Sequence, residues 1–299
     1  MTHGRAVSLM VLVTLLWSTA GVVSRHLQAA QSFEVTFWRS AFNALALVLL
    51  LSVMRTPAGL LQSLKAGGRA LWVSGLCWSV MFTAFMVALT LTTVANVLIT
   101  LALGPLFTAL LAWMALGHRL APRTWGAIAL AGAGIAWMYG HEVSGDPRHL
   151  FGMGVALAVP VAAGINWTLL QHRKGLQDGG GDMLPAVLVG ATFSALVTLP
   201  LAWPFAASVR DVSLLALLGV VQLAIPCLMA VAVARVLPGP EISLLALLEV
   251  LFGVAWAWLG AGEAPSAAVL GGGLTVLLAL AGNEWLALRS RSLAAAQGS

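Results

Sequence analysis

Charged side chains are scarce in this chain, and their scarcity excludes a water-soluble protein. Only 8% of the 299 residues are charged, whereas 60% are hydrophobic and the mean hydropathy is +0.97. A soluble domain carries about 25% charged residues, so a chain with so few cannot cover a surface that faces water. We therefore expect lipid to be its main solvent.

Cysteine is scarce as well, and the basic residues do not cluster. Cys77 and Cys227 each lie within an apolar stretch, so a disulfide framework is not expected. The pI of 10.2 does not indicate a nucleic-acid-binding protein, because the Lys and Arg residues are not gathered on one patch. They lie between apolar stretches, where they set the orientation of the chain and contact anionic lipid.

Motifs of intramembrane enzymes and of nucleotide-driven pumps are absent from the sequence. It has no H-E-x-x-H and no G-x-S-x-G motif, so we expect no enzyme, no catalytic residue, no metal site and no cofactor. It also has no G-x-x-x-x-G-K-S/T motif, so energy for transport would have to come from a gradient or from an attached partner. A structural or signalling membrane protein remains an alternative class.

Apolar stretches of about 20 residues recur between polar breaks, and a helix of that length crosses a hydrocarbon core of roughly 30 Å. The pattern predicts an all-α integral membrane protein with ten transmembrane helices. The predicted helices are Ala6–Ser24, Glu34–Met54, Ala70–Leu89, Thr93–Leu116, Pro122–Tyr139, Leu150–Gln171, Met183–Phe205, Val212–Arg235, Glu241–Gly260 and Ser266–Leu288.

Basic residues favour one set of helix ends over the other. If the N-terminus is cytoplasmic, the outer ends carry only Arg25, Arg148 and Arg210. The cytoplasmic ends then carry Arg5, Arg55, Lys65, Arg69, Arg119, Arg123, Arg173, Lys174, Arg235, Arg289 and Arg291. This bias predicts that both termini are cytoplasmic, in the inner (plasma) membrane of a bacterium. We expect a monomer or a weak dimer.

An internal repeat links two stretches that begin near Val94 and Gly239. The matching pairs are Leu103 with Leu248, Ala112 with Ala257, Trp113 with Trp258, Gly117 with Gly262, and Gly126 with Gly271. The repeat predicts two five-helix domains, residues 1–145 and 146–290, with a disordered cytoplasmic tail at 291–299. Because five crossings are an odd number, the two halves enter the membrane in opposite directions. Inverted repeats of this kind surround a central cavity and support alternating access.

Short motifs within the predicted helices carry a family resemblance. They are Trp17-Ser18-Thr19-Ala20-Gly21, Arg39, Leu103-Gly104-Pro105-Leu106-Phe107 and Leu248-Glu249-Val250-Leu251-Phe252. The chain resembles the drug/metabolite transporter (DMT) superfamily, in its ten-helix branch with two EamA-type repeats. That family often has Glu-Pro in the last motif, and this chain keeps Pro105 in one half and Glu249 in the other.

The resemblance covers nearly the whole chain and extends to the helix ends, where the family often has Gly-Glu and this chain has Gly117-His118 and Gly262-Glu263. It implies a basket in which helices one to four and six to nine surround a cavity, with helices five and ten at the periphery. The general character is similar to that of YddG-type exporters of aromatic amino acids and methionine.

Two charged residues within the predicted helices are candidates for chemistry. Glu249 lies near the middle of its helix, where an ionised carboxylate costs several kcal/mol. It would couple protons or bind an amine, or else it is a neutral carboxyl in a tight helix contact. Arg39 lies about five residues, or roughly 8 Å, from the outer end of its helix. It would pair with a substrate carboxylate, or else it is a structural or snorkelling arginine.

Polar and aromatic residues at similar depth are the candidate lining of the cavity. Trp17 lies near mid-membrane beside small polar residues, which fits a cavity wall or a helix contact. The other candidates are Asn43, Ser79, Thr83, Asn96, Thr100, Asn166, Trp167 and Gln222. Singly, each could serve as an interhelical hydrogen bond, but together they fit a zwitterionic or amphipathic metabolite. Pro105, Pro160 and Pro226 would act as hinges or as static kinks.

The leading prediction is a secondary transporter that exports small amphipathic metabolites, above all neutral or aromatic amino acids, by alternating access. Phosphorylated sugars would need paired basic residues, and only Arg39 is intramembrane. Cationic drugs would need an acid in the first helix, as in the related four-helix multidrug pumps, and that helix has none. Export of other metabolites or drugs stays an alternative.

Overall fold

The computed structural model is built from α-helices and describes residues 1–116, 122–142, 147–174, 182–237 and 239–297, and no β-strand occurs within these ranges. The first seven helices are α1 (His3–Ser24), α2 (Ser32–Arg55), α3 (Pro57–Ala66), α4 (Gly68–Leu91), α5 (Val94–Leu101), α6 (Gly104–Leu116) and α7 (Pro122–Glu142). The others are α8 (Pro147–Ala156), α9 (Ala158–Lys174), α10 (Pro185–Ala202), α11 (Val209–Leu217), α12 (Ile225–Val233), α13 (Gly239–Ala261) and α14 (Ala267–Gln297). A π-helical segment, Leu218–Ala224, joins α11 to α12.

Seven helical stretches of the described residues are long and apolar enough to cross a membrane. They are His3–Ser24, Phe33–Arg55, Gly68–Leu91, Val94–Leu111, Pro147–Leu170, Pro185–Ala202 and Val209–Val233. Shorter apolar helices occur at Leu245–Ala261 in α13 and Ala267–Asn283 in α14. The described residues are therefore all-α, as predicted, with seven helices suited to span a membrane, whereas the count of ten spans stays a prediction.

Two helices differ from the sequence prediction. The short helix α3 occupies the predicted loop between the second and third spans, and Thr56 caps it by accepting a hydrogen bond from the Gly59 N–H at 3.3 Å. Helix α14 continues to Gln297, beyond Leu288, where the tenth predicted helix ends. The repeat residue Gly117, its neighbour His118 and residues 298–299 of the predicted tail lie outside the described residues.

Each of the three predicted hinge prolines lies next to an interruption of a helix. Pro105 follows the break between α5 and α6, Pro160 follows the break between α8 and α9, and Pro226 follows the π-helical segment. A proline lacks the N–H that would bond to the carbonyl four residues earlier, and its ring crowds that carbonyl. For Pro226 this carbonyl belongs to Gln222, so the wider π-helical turn falls where proline disfavours an α-helical one.

Small residues bring the helices into close contact. A Cβ atom on Gly190 of α10 would lie 2.3 Å from the Trp78 Cβ atom of α4, and one on Gly134 of α7 would lie 2.8 Å from the carbonyl oxygen of Gly272 in α14. Such close backbone approach is the usual means of helix packing in lipid, where no hydrophobic effect holds helices together. Helices α2, α4 and α10 form one packed group and α1 packs on α13.

Two buried acids anchor the loops at one end of the bundle. The Glu34 carboxylate, at the start of α2, accepts hydrogen bonds from the backbone N–H groups of Ala206 and Ala207 at 2.9 and 2.8 Å. The Asp211 carboxylate, at the start of α11, accepts hydrogen bonds from Gln28 and Ala29 N–H groups, both at 2.9 Å. Each acid therefore fixes the loop that precedes the other acid's helix.

Candidate functional site: a central cavity

A cavity of about 630 Å³ lies between the helices. Its lining comes from α1, α2, α4, α5, α6, α9, the π-helical segment, α12 and α13, and most of that surface is apolar. The volume is in the range of sites that hold a small organic molecule. The cavity is therefore large enough to be a binding site for a metabolite.

One wall of the cavity is aromatic. Trp78, Phe82 and Phe85 of α4 share the cavity with Trp167 of α9, and Trp17 of α1 lines it as well. The Trp78 ring centroid lies 5.5 Å from that of Phe82 and 6.2 Å from that of Trp167. Such a wall suits an apolar or aromatic group of a ligand.

Two ionisable residues with opposite charge types line this apolar cavity. Arg39 of α2 is only 2% exposed, and its guanidinium carbon lies 5.6 Å from the centre of the Phe85 ring. Glu249 of α13 is only partly buried and faces the same cavity. The two side chains do not form a direct ion pair, so each can interact with a ligand group of the opposite sign.

Gln222 connects Arg39 to Trp17. Its Oε1 atom accepts hydrogen bonds from Arg39 Nη2 at 2.9 Å and from Arg39 Nε at 3.3 Å. Its Nε2 atom donates to the Trp17 carbonyl oxygen at 3.0 Å. The other terminal nitrogen of the guanidinium, Nη1, is buried and has no hydrogen-bond partner. Gln222 thus binds two nitrogens of the arginine and leaves the third free.

The structure brings some of the predicted site residues together and places others elsewhere. Trp17, Trp167, Gln222, Glu249 and Arg39 line the cavity, as do Pro105 and Pro160. The remaining candidates lie outside its lining: Asn43, Ser79, Thr83, Asn96, Thr100, Asn166 and Pro226.

Several of those outer candidates make hydrogen bonds between or within helices. The hydroxyl of Thr83 in α4 pairs with that of Ser194 in α10 at 2.8 Å, and Ser194 also pairs with Ser40 of α2. Asn166 of α9 accepts from the Ser74 hydroxyl at 2.6 Å. Within the α4–α5 region, Asn96 donates to the Thr92 hydroxyl at 3.0 Å, and the Thr100 hydroxyl donates to the Asn96 carbonyl oxygen at 2.8 Å. Asn43 and Ser79 are buried.

The aromatic residues of α4 are cavity residues that the sequence analysis missed. Trp78, Phe82 and Phe85 are separated by four and three positions, which places them on one face of a helix. That spacing is a signal in the sequence, but it does not tell whether the face contacts a cavity or lipid. The contact with the cavity depends on how α4 packs on α9 and α10.

A network of hydrogen bonds lies at one end of the bundle. Arg25 follows α1, and its Nε atom donates a hydrogen bond to Glu263 Oε2 at 2.6 Å. Its Nη1 atom donates to the Leu89 carbonyl oxygen at 2.7 Å, and its Nη2 atom donates to the Thr92 carbonyl oxygen at 2.8 Å. Glu263, between α13 and α14, also accepts from the Val94 N–H through Oε1 at 2.5 Å. The network therefore ties together the ends of α1, α4, α5 and α13.

The cavity extends toward the opposite end of the bundle. Leu170 lines it near the end of α9, and Ala234 and Leu237 line it beyond the end of α12. At that end Asp182 forms ion pairs with Arg55, the last residue of α2, and with Arg235 after α12, the latter with an N–O distance of 3.6 Å. The cavity lining near Leu170 and Leu237 and the Arg25–Glu263 network thus lie toward opposite ends of the bundle.

Comparisons with known proteins agree with this architecture. Residues 4–140 match the model of the EamA-like transporter family. A solved crystal structure that is described only as that of a protein has 18% sequence identity to this chain. The match covers 96% of this chain and 99% of that chain, with a TM-score of 0.66. At this identity the likeness concerns the fold alone. No curated protein matches the chain.

The family match points to a class of membrane protein. The EamA-like transporter family is a family of membrane transporters, and its model matches residues 4–140, under half of the 299 residues. Among the described residues, no group of three or more His, Cys, Asp or Glu side chains could hold a metal ion.

Proposed function

We propose that the protein is a secondary transporter that exports small amphipathic metabolites, above all neutral amino acids with apolar or aromatic side chains. The observation that carries this proposal is the combination of one basic and one acidic residue, Arg39 and Glu249, in a cavity with an aromatic wall. A zwitterionic amino acid has a carboxylate for Arg39, an ammonium group for Glu249 and an apolar side chain for the aromatic wall. Its carboxylate and ammonium groups would also supply the partners that buried charges require.

Other substrate classes match the cavity less well. A phosphorylated sugar would need two or more basic side chains, and Arg39 is the one Lys or Arg residue in the described lining. A cationic drug would gain from Glu249 and the aromatic wall but would meet the charge of Arg39. Export of such compounds is the second candidate, and the presence of Glu249 in the cavity is the observation that favours it.

Helix packing supports ten spans in two inverted halves. An inverted repeat assigns each helix of the first half a counterpart in the second half. The counterpart of α1 is α8–α9, that of α2 is α10, and that of α4 is the α11–π–α12 stretch. The counterpart of α5–α6 is α13, and that of α7 is α14. If each helix is replaced by its counterpart, the α1–α13 contact becomes the α6–α9 contact, and the α4–α9 contact becomes the α1–α12 contact. The α2–α10 and α7–α14 contacts each become themselves. All of these contacts occur in the structure. A bundle with this symmetry has two related states, one open to each side.

The distribution of basic residues supports a cytoplasmic cavity entrance. Arg173, in the last turn of α9, lies at the end that the cavity lining reaches, and Arg235 follows α12 there. Under the positive-inside rule this end faces the cytoplasm. The conformation would then be the one that loads substrate for export, with the Arg25–Glu263 network as its outer seal.

A substrate-panel efflux assay tests the proposal. Cells that express the protein are loaded with radiolabelled phenylalanine, methionine, glycine, a sugar phosphate and a cationic dye, and efflux is compared with that of cells that carry an empty vector. We expect faster efflux of phenylalanine and methionine, and no change for the sugar phosphate. Faster efflux of the dye alone would replace the amino acid assignment with the drug assignment.

A further inference from the structure

The geometry around Arg39 leaves one nitrogen of a buried cation available to a ligand. The side chain is 2% exposed, and Gln222 Oε1 accepts from Nε and Nη2. The Nη1 atom has no hydrogen-bond partner, although the residue lines the cavity. A guanidinium carries five N–H donors and stays charged in proteins, so a buried donor without a partner, on a residue that lines a cavity, suits an anion.

Gln222 fixes the guanidinium without neutralising its charge. Its amide oxygen accepts from the arginine and its amide nitrogen donates to the Trp17 carbonyl oxygen at 3.0 Å, so both ends of the amide are used and its orientation is set. A glutamate at this position would instead form an ion pair with Arg39 and would leave little attraction for a second anion.

The backbone around Gln222 is shaped to hold it against α2. The π-helical segment that contains it has Pro226 just beyond its end. On its other side, a Cβ atom on Gly219 would lie 2.6 Å from the Arg39 carbonyl oxygen, so glycine allows the two backbones to meet. Single π-helical turns occur frequently at functional sites, where they change the direction of a side chain.

We propose that Arg39 Nη1 binds the carboxylate group of the transported solute and that Gln222 is the positioning residue that holds the guanidinium at the cavity wall with this nitrogen unpaired. The proposal rests on the transport function given above and specifies how the solute lies in the site. The carboxylate lies at Arg39, the apolar side chain lies against the wall formed by Trp78, Phe82, Phe85 and Trp167, and Glu249 serves the ammonium group.

Binding of three matched ligands tests this assignment. The ligands are L-phenylalanine, 3-phenylpropionate, which lacks the ammonium group, and phenethylamine, which lacks the carboxylate. Their affinities for the purified full-length protein in detergent are measured by titration calorimetry for the wild type, Arg39→Gln and Gln222→Glu. The substitution Gln62→Glu on the exposed surface of α3 makes the same chemical change outside the cavity and is the control.

We expect both cavity variants to weaken the binding of L-phenylalanine and 3-phenylpropionate by about 10- to 100-fold, the range of a hydrogen bond to a charged group. Phenethylamine binding should change by less than about threefold for Arg39→Gln, because this ligand makes no contact through a carboxylate. The control should bind all three ligands as the wild type does. A purely structural role of Arg39 or Gln222 would weaken all three ligands alike.

Two results separate failure of this assignment from failure of the proposed function. If the wild type binds L-phenylalanine but the variants lose phenethylamine as strongly as L-phenylalanine, the carboxylate assignment is wrong while the amino acid function stands. If the wild type binds none of the three ligands, both are wrong. Should Arg39→Gln fail to elute as a folded protein, Gln222→Glu keeps the arginine, and it should weaken the two carboxylate ligands while phenethylamine binds no more weakly than to the wild type.

Discussion

Arg25 and Glu263 form an ion pair of 2.6 Å that joins the end of α1 to the loop between α13 and α14. The same guanidinium binds two carbonyl oxygens near the end of α4, so one arginine contacts three parts of the bundle. The pair lies at the end of the bundle opposite to the end that the cavity lining reaches near Leu170 and Leu237. In an alternating-access cycle, this contact has to break before a solute can leave on that side.

The first prediction concerns this ion pair. The substitution Glu263→Gln should favour opening at the Arg25 end by about 1 kcal/mol, the upper range for a partly exposed ion pair, which is about a fivefold change in population. Cys227, which lines the cavity, can report this in a Cys77→Ala background. Its modification by a membrane-impermeant thiol reagent added on the outer side should become about fivefold faster.

The control for that experiment is Arg210→Gln, which removes the charge of an exposed arginine in the first turn of α11. It should leave the rate of Cys227 modification unchanged. If Glu263→Gln lowers the thermal stability but leaves the modification rate as it was, the ion pair is a structural contact and not a gate.

The second prediction concerns Glu249. If its carboxyl exchanges a proton during transport, Glu249→Gln should abolish the pH dependence of flux and leave the fold intact. The other titratable or charged groups at this part of the cavity are Arg39 and Cys227. Flux is measured in proteoliposomes between pH 6 and 8, and an unchanged pH profile in the variant would eliminate the coupling role.

The third prediction concerns Trp17. Its ring lines the cavity, so Trp17→Ala should weaken transport of phenylalanine by about tenfold, in line with about 1.4 kcal/mol for an aromatic contact. Transport of alanine should fall by no more than about twofold. Trp258→Ala, which removes an exposed ring from α13, should affect neither substrate. Equal losses for phenylalanine and alanine would assign Trp17 to helix packing.

The fourth prediction concerns the contact between α4 and α10. The substitution Gly190→Ala would place a methyl group 2.3 Å from the Trp78 Cβ atom and 2.8 Å from the Gly75 carbonyl oxygen, so the helices must separate. We expect a loss of stability of about 1–3 kcal/mol, the usual cost of overpacking. The measurement is thermal unfolding in detergent. Gly154→Ala is the matched control, because a Cβ atom there has no neighbour within 4 Å, and similar losses in both variants would contradict the packing argument.

The helices of this protein were easier to predict than the site. Apolar runs bounded by basic residues locate α1, α2, α4 and α10 to within about three residues, because the bilayer fixes the length of a spanning helix. Helix α3 was missed because a polar segment between two spans resembles a loop. The sequence Thr56-Pro57 indicates the start of α3, because it combines an N-cap residue with a proline in the first turn of a helix.

The site depends on contacts that sequence periodicity cannot reveal. Gln222 binds an arginine that is 183 positions away in the chain, so no local pattern connects the two. The π-helical turn that directs Gln222 is likewise invisible to a pattern of period 3.6. Asn43 and Thr83 lie at a suitable depth but outside the cavity lining, because depth in the membrane does not determine which face of a helix meets the cavity.

Counterflow is the measurement that tests the central claim most directly. Proteoliposomes that contain the full-length protein are loaded with unlabelled L-phenylalanine and diluted into a trace of labelled L-phenylalanine. We predict transient accumulation of the label above its equilibrium level, with little accumulation by Arg39→Gln. Label uptake equal to that of protein-free liposomes would contradict the account of an alternating cavity that carries a zwitterionic amino acid.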